Sequence, residues 1–128
     1  MSSYSVKNLM DVEDSAAART SDVEARFARK HLDSQELGVS YFRYAPNYRS
    51  RMGHSHREQE EAYVIVGGAG RIKLDDEILD LSQWDVVRVS PQVVRAFEGG
   101  PQGLEIIAIG GTKPEDGDGV PIPDWWTD

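Results

Sequence analysis

The stretch His54-Ser55-His56-Arg57-Glu58-Gln59-Glu60-Glu61-Ala62-Tyr63-Val64-Ile65-Val66-Gly67-Gly68 decides the reading of this chain. His54 and His56 are two apart, so in an extended strand both imidazoles leave the same face. Glu61 follows five residues later, at the start of the apolar run Ala62–Val66. In that strand Tyr63 and Ile65 share the parity of Glu61 and can line a cavity, while Ala62, Val64 and Val66 pack on the other face. Two neutral imidazoles and one carboxylate are a donor set for Mn, Fe, Co, Ni or Zn, and three such ligands leave open positions on the ion.

Outward from this stretch the chain reads as short strands separated by turn signals. They lie at 24–31, 39–44, 52–57, 62–66, 71–74, 77–81, 85–89, 93–97 and 104–109. Gly67-Gly68, Asp75-Asp76, Pro91, Gly99-Gly100-Pro101 and Gly110-Gly111 punctuate them. Such close, even spacing without a convincing long helix predicts an all-β antiparallel barrel or double-sheet jelly roll. Asp75-Asp76 reads as a two-residue hairpin loop, and Gly67-Gly68-Ala69-Gly70 as a turn. Ser34–Gly38 reads as a short helical turn ended by glycine, Asp14–Arg19 as another with Asp14 or Ser15 as its N-cap. Val6 and Leu9 are expected to dock as a short strand. The expected organisation is an N-terminal arm over 1–23, a barrel over 24–111, and a Pro/Gly/Asp-rich tail over 112–128. Trp125-Trp126 in the tail should fold back onto a surface.

Composition narrows the function. The 128 residues include no cysteine, which removes thiolate metal sites, Cys nucleophiles and disulfides. The net charge of −8 repels phosphate backbones and argues against nucleic-acid binding. No apolar run reaches the length of a membrane span. The first residues lack the basic start and apolar core of a signal peptide, so a cytoplasmic protein is expected. There is no G-x-S-x-G elbow. The glycine run at 67–70 precedes a strand rather than a helix, so it is no phosphate loop.

The histidine stretch resembles the first motif of the cupin family, G-x5-H-x-H-x(3,4)-E-x6-G. It is carried by His54, His56, Glu61 and Gly68, with Tyr48 at the opening glycine. The second motif, G-x5-P-x-G-x2-H-x3-N, falls on Trp84, Ser90, Gln92, Arg95 and Gly99, so only its surroundings match. The resemblance spans residues 36–110. It implies a β-barrel of two antiparallel sheets, a homodimer, a small-molecule partner, and metal ligation by His54, His56 and Glu61. The fourth family ligand, a histidine, is Arg95 here.

Arginine has no lone pair for a metal. Three placements of Arg95 follow. It can pair with Glu61 and supply the charge that a metal otherwise supplies. It can point at the anionic group of a ligand beside a three-ligand metal, Fe, Mn, Ni or Zn. It can face solvent on a shifted strand. Tyr63 and Phe97 are expected to line the ligand pocket with Arg95. Two functions correspond: a small-molecule-binding protein whose pocket is metal-free, or a metal-dependent enzyme of dioxygenase or isomerase type. A third reading, an accessory protein docking through Trp84 and Trp125-Trp126, rests on those tryptophans alone. Trp84 stands where the family has glycine and is expected to cover a cavity end or a dimer surface. His31 is isolated and expected at the surface.

Overall fold

The computed structural model describes residues 3–112, 114 and 117–128. Among them, eight strands form one antiparallel sheet curled over on itself: β1 (Val23–Phe27), β2 (Gly38–Tyr44), β3 (Gly53–His56), β4 (Glu61–Leu74), β5 (Glu77–Leu81), β6 (Val86–Val89), β7 (Arg95–Gly110) and β8 (Gly119–Ile122). The all-β jelly-roll architecture agrees with the sequence reading.

Two long strands organise it. β4 and β7 pair with each other twice, Glu61–Gly68 against Leu104–Gly110 and Gly70–Leu74 against Arg95–Gly99. The first half extends outward through β2 and β1 on one side and β6 on the other. The second half extends through β5 on one side and β3 then β8 on the other. Facing residues of the two halves build the core: Tyr63, Ile65, Ile72, Leu81, Val89, Phe97, Leu104, Ile106 and Ala108.

The sequence reading expected eight or nine strands, with turns at the glycines of 67–70 and 99–101. Instead the chain runs on through both, and four expected strands become two. The glycines bend the strands without ending them. Register slips at Ile65/Gly67 and Gly68/Gly70 are bulges. Gly68 has φ +67°, and a Cβ there would lie 2.2 Å from the Gly103 carbonyl oxygen. Backbone meets backbone at this bend, which only glycine permits.

Other local expectations shift. The Asp75-Asp76 hairpin loop forms as expected, between β4 and β5. The turn expected at Ser34–Gly38 sits earlier, where Leu32 N–H donates to the Ala28 carbonyl and Asp33 adopts φ +52°. Val6 is exposed and Leu9 opens a 3-10 turn, so no strand forms there. Asp14 does cap the next turn: its Oδ1 accepts from Ala16 N–H and also from Ala25 N–H of β1, both at 2.9 Å.

Residues 119–122, expected as tail, form β8 on the free edge of β3. Trp125 then sits against Gly53, where an added Cβ would come within 2.7 Å of the indole. The Lys73 ammonium lies 4.2 Å from the Trp125 ring centre and donates to the Trp125 carbonyl. Trp126 donates its indole N–H to the Ser50 carbonyl beneath the Arg49 guanidinium. The two tryptophans thus fold onto the chain's own sheet, held by cation–π contact and hydrogen bonds.

Candidate metal and anion site

The site lies where β3, β4 and β7 meet. β3 brings His54 and His56 to one face. In the ladder His54 is registered against Arg95 of β7 and, on its other side, Pro121 of β8. Glu61 opens β4. The donor atoms of His54, His56 and Glu61 lie within 4.8 Å of one another.

Four groups crowd a single oxygen, Glu61 Oε1. The Tyr63 hydroxyl donates to it at 2.5 Å. His56 Nε2 is 2.9 Å away, Arg95 Nη2 3.7 Å and His54 Nε2 3.8 Å. Burial of Glu61 opposes its charge, but His54, His56 and Tyr63 outweigh burial and hold the carboxyl well below the usual carboxylate range. Tyr63 moves the other way. Its own burial, then the Glu61 charge, push the phenol well above its ordinary value, so it stays a neutral donor.

Arg95 is wholly buried, which rules out the solvent-facing placement. Its Nη1 donates to the Val93 carbonyl at 2.8 Å and the Pro91 carbonyl at 3.2 Å. Among the described residues Nε and Nη2 have no hydrogen-bond partner, and neither does either ring nitrogen of His56. Leaving a buried donor unpaired costs about 1–3 kcal/mol, more when it is charged. His56 Nε2 and Glu61 Oε1 are close, yet the ring nitrogen does not hydrogen-bond the carboxylate. Two donors each ~2.1 Å from one cation, at roughly a right angle, would stand about this far apart. The residues present therefore fit a divalent metal held by His54, His56 and Glu61.

Access is from the His54 side. Its side chain is 42% exposed, against 12% for His56 and 14% for Glu61. Phe97, expected as a pocket wall, packs edge-on to Tyr63 with ring centres 4.9 Å apart, inside the core. A cleft of about 530 Å³ opens elsewhere, lined among others by Asn47, Arg71 and Glu98, and does not reach the histidines. Trp84 is 68% exposed, and it adopts φ +74°, the conformation that suits a glycine at that turn. His31 lies outside the site and contacts Glu13 at the surface.

One residue at the site was not legible in the sequence. Asp118, immediately before β8, has a side chain only 1% exposed, and its Oδ2 lies 3.6 Å from His56 Nδ1. Nothing in the spacing of a Pro/Gly/Asp-rich segment marks this aspartate from its neighbours.

No protein-family model matches the sequence, and no curated protein matches it. Solved structures do. A cupin protein from Bacteroides fragilis aligns with 100% of this chain and 91% of its own, at 18% identity and TM-score 0.68. The polyketide cyclase RemF from Streptomyces resistomycificus aligns with 97% of this chain and 87% of its own, at 13% identity and TM-score 0.75. A variant of oxalate decarboxylase from Bacillus subtilis aligns with 89% of this chain but only 32% of its own, at 18% identity and TM-score 0.73. At these identities the likeness is one of fold: the chain has the fold of these cupin structures.

Proposed function

We propose that this protein binds a small carboxylate-bearing molecule at a divalent-metal centre held by His54, His56 and Glu61, with Arg95 as the anion clamp. One observation carries the reading. Around the charged Glu61, His56 and Arg95 bury four nitrogen atoms that have no hydrogen-bond partner among the described residues. A cation would satisfy His56, and an anionic ligand would satisfy the free edge of Arg95. A bound metal would supply a Lewis acid and a template for the ligand. The chain's own residues do the rest. Tyr63 orients Glu61, Arg95 is pre-positioned by the Pro91 and Val93 carbonyls, and the exposed edge of His54 admits the ligand. Whether a reaction follows depends on that ligand; the decarboxylase and cyclase names among the structural neighbours lend only a fold-level analogy.

A second reading is favoured by the 3.7 Å approach of Arg95 to Glu61. There the guanidinium neutralises the carboxylate and the pocket binds its ligand without metal. Elemental analysis of tag-free protein beside a His54→Ala/His56→Ala variant separates the two. Near-stoichiometric metal in the first and none in the second is the expected result. No metal in either, even after soaking with Mn, Fe, Co, Ni and Zn, would sink the metal centre and leave the metal-free pocket. A homodimer, as the resemblance implies, is part of the same proposal, and its test is light scattering of the same samples.

A further inference from the structure

We propose that Arg49 and Arg71 form a second ligand site, on the outer face of the sheet and apart from the histidines. It takes the carboxylate of a small monocarboxylic hydroxy acid, and the chain's own Asp128 occupies that position in this structure.

Register builds the site. Asp80 of β5 pairs with Arg71 of β4, Arg71 pairs with Glu98 of β7, and Glu98 is bridged to Arg49. Asp80, Arg71 and Glu98 share the outer face, because their chain neighbours Leu81, Ile72 and Phe97 belong to the core. Glu98 touches both guanidinium groups, 2.6 Å from Arg49 Nε and 2.5 Å from Arg71 Nη2. One carboxylate between two guanidinium groups leaves one positive charge unbalanced. Asp128 supplies the second carboxylate: Oδ1 lies 3.0 Å from Arg49 Nη2 and Oδ2 3.2 Å from Arg71 Nη2. A carboxylate that gives one oxygen to each of two guanidinium groups is an arrangement a free acid can reproduce.

Asp128 is the replaceable member of this ring of charges. Glu98 is fixed within β7 and its side chain is 20% exposed; Asp128 belongs to no strand and is 44% exposed. Two ion pairs this open to water favour the occupied state by only about 2–30-fold. Beside them opens the cleft of about 530 Å³, within the size range of small-molecule sites. Arg71 and Glu98 stand in its wall together with Asn47, Asp80 and Ser82. Those three offer an amide, a carboxylate and a hydroxyl to the hydroxyl groups of a ligand. A single carboxylate balances the one unmatched charge, and a hydroxylated body suits the cleft. The competing explanation is that Asp128 only ties the tail to the sheet.

The test follows the Trp126 indole N–H, which donates to the Ser50 carbonyl beside Arg49, by nitrogen-15 NMR of the full chain titrated with gluconate. The signal reports the outer face, so a ligand bound at the buried Arg95 is not mistaken for it. Wild type, Asp128→Ala and Arg71→Gln are compared, with thermal melting as the check on folding. Gluconate is expected to shift the signal in wild type and to bind Asp128→Ala about tenfold more tightly, because the competing carboxylate is gone. Arg71→Gln should show no saturable shift. Equal affinity in wild type and Asp128→Ala overturns the proposal, as does an absence of binding in both, and neither result needs the arginine variant. A folded Arg71→Gln protein that binds gluconate as wild type does also overturns it. Hexanoate, which has the carboxylate and chain length without the hydroxyls, should bind more weakly than gluconate; equal binding overturns the hydroxy-acid assignment.

Discussion

His54 and Arg95 are directly registered partners across the β3–β7 ladder. The Arg95 guanidinium is thus carried on the strand beside His54. It cannot withdraw, because Nη1 is tied to two carbonyls of its own strand entry.

Removing that charge should change ion preference. At ~4 Å two like charges repel by about 4 kcal/mol per unit charge at an effective dielectric near 20, and a metal would feel part of this. Arg95→Gln is expected to bind Co²⁺ about tenfold more tightly than wild type by calorimetry. It should also lose any thermal stabilisation by small dicarboxylates. Unchanged Co²⁺ affinity would mean that the guanidinium does not face the ion.

Trp84 is a large L-residue at φ +74° with its side chain mostly in solvent. The left-handed conformation costs a non-glycine residue ~1–2 kcal/mol, partly offset by the greater chain entropy of an unfolded glycine. Trp84→Gly should therefore raise stability by about 0.5–1 kcal/mol in urea unfolding. A clear loss would instead mark the indole as part of an interface.

Trp125 packs on Gly53, one residue before the first histidine. Trp125→Ala should cost about 1–3 kcal/mol, below the range for a fully buried aromatic because the ring is only half-buried. Hydrogen exchange should accelerate at the β3 amides more than at those of β2. Uniform acceleration would show that the indole stabilises the barrel without bracing the histidine strand.

Glu98 lies between two guanidinium groups, 2.6 Å from Arg49 and 2.5 Å from Arg71. Partial burial opposes its charge, but Arg49 and Arg71 outweigh this and hold the carboxyl below its ordinary value of 4.5. A depressed carboxyl stabilises the fold above its unfolded pKa, and that contribution is lost as pH falls through the folded one. Melting temperature should fall more steeply between about pH 5 and pH 3 in wild type than in Glu98→Gln. Parallel curves would assign the acid sensitivity to other carboxylates.

The sequence was legible where chemistry is local. Strand parity put His54 and His56 on one face, and the apolar run after Glu61 made a strand; both are properties of two-residue periodicity. The glycines at 67–70 were misread, because a turn and a bend within a strand use the same backbone freedom. The difference depends on Gly103 and Glu98, more than 25 residues away, coming into main-chain contact. β8 was missed for a related reason. Gly119–Ile122 has little strand character alone and becomes a strand because β3 leaves an edge to pair with.

What the sequence by itself determined is the grouping of His54, His56 and Glu61 and its strand geometry, together with the absence of cysteine and a net charge of −8. Whether Arg95 turned inward, and that it is held by the Pro91 and Val93 carbonyls with two of its three guanidinium nitrogens free of hydrogen bonds among the described residues, was decided by the tertiary structure. So was the placing of Asp118 behind His56. Both depend on which strands become neighbours, and that is settled by burying the core along β4 and β7. Neighbourhood between residues 40 or 60 positions apart is a property of the packed sheet, since no local preference of the chain encodes it.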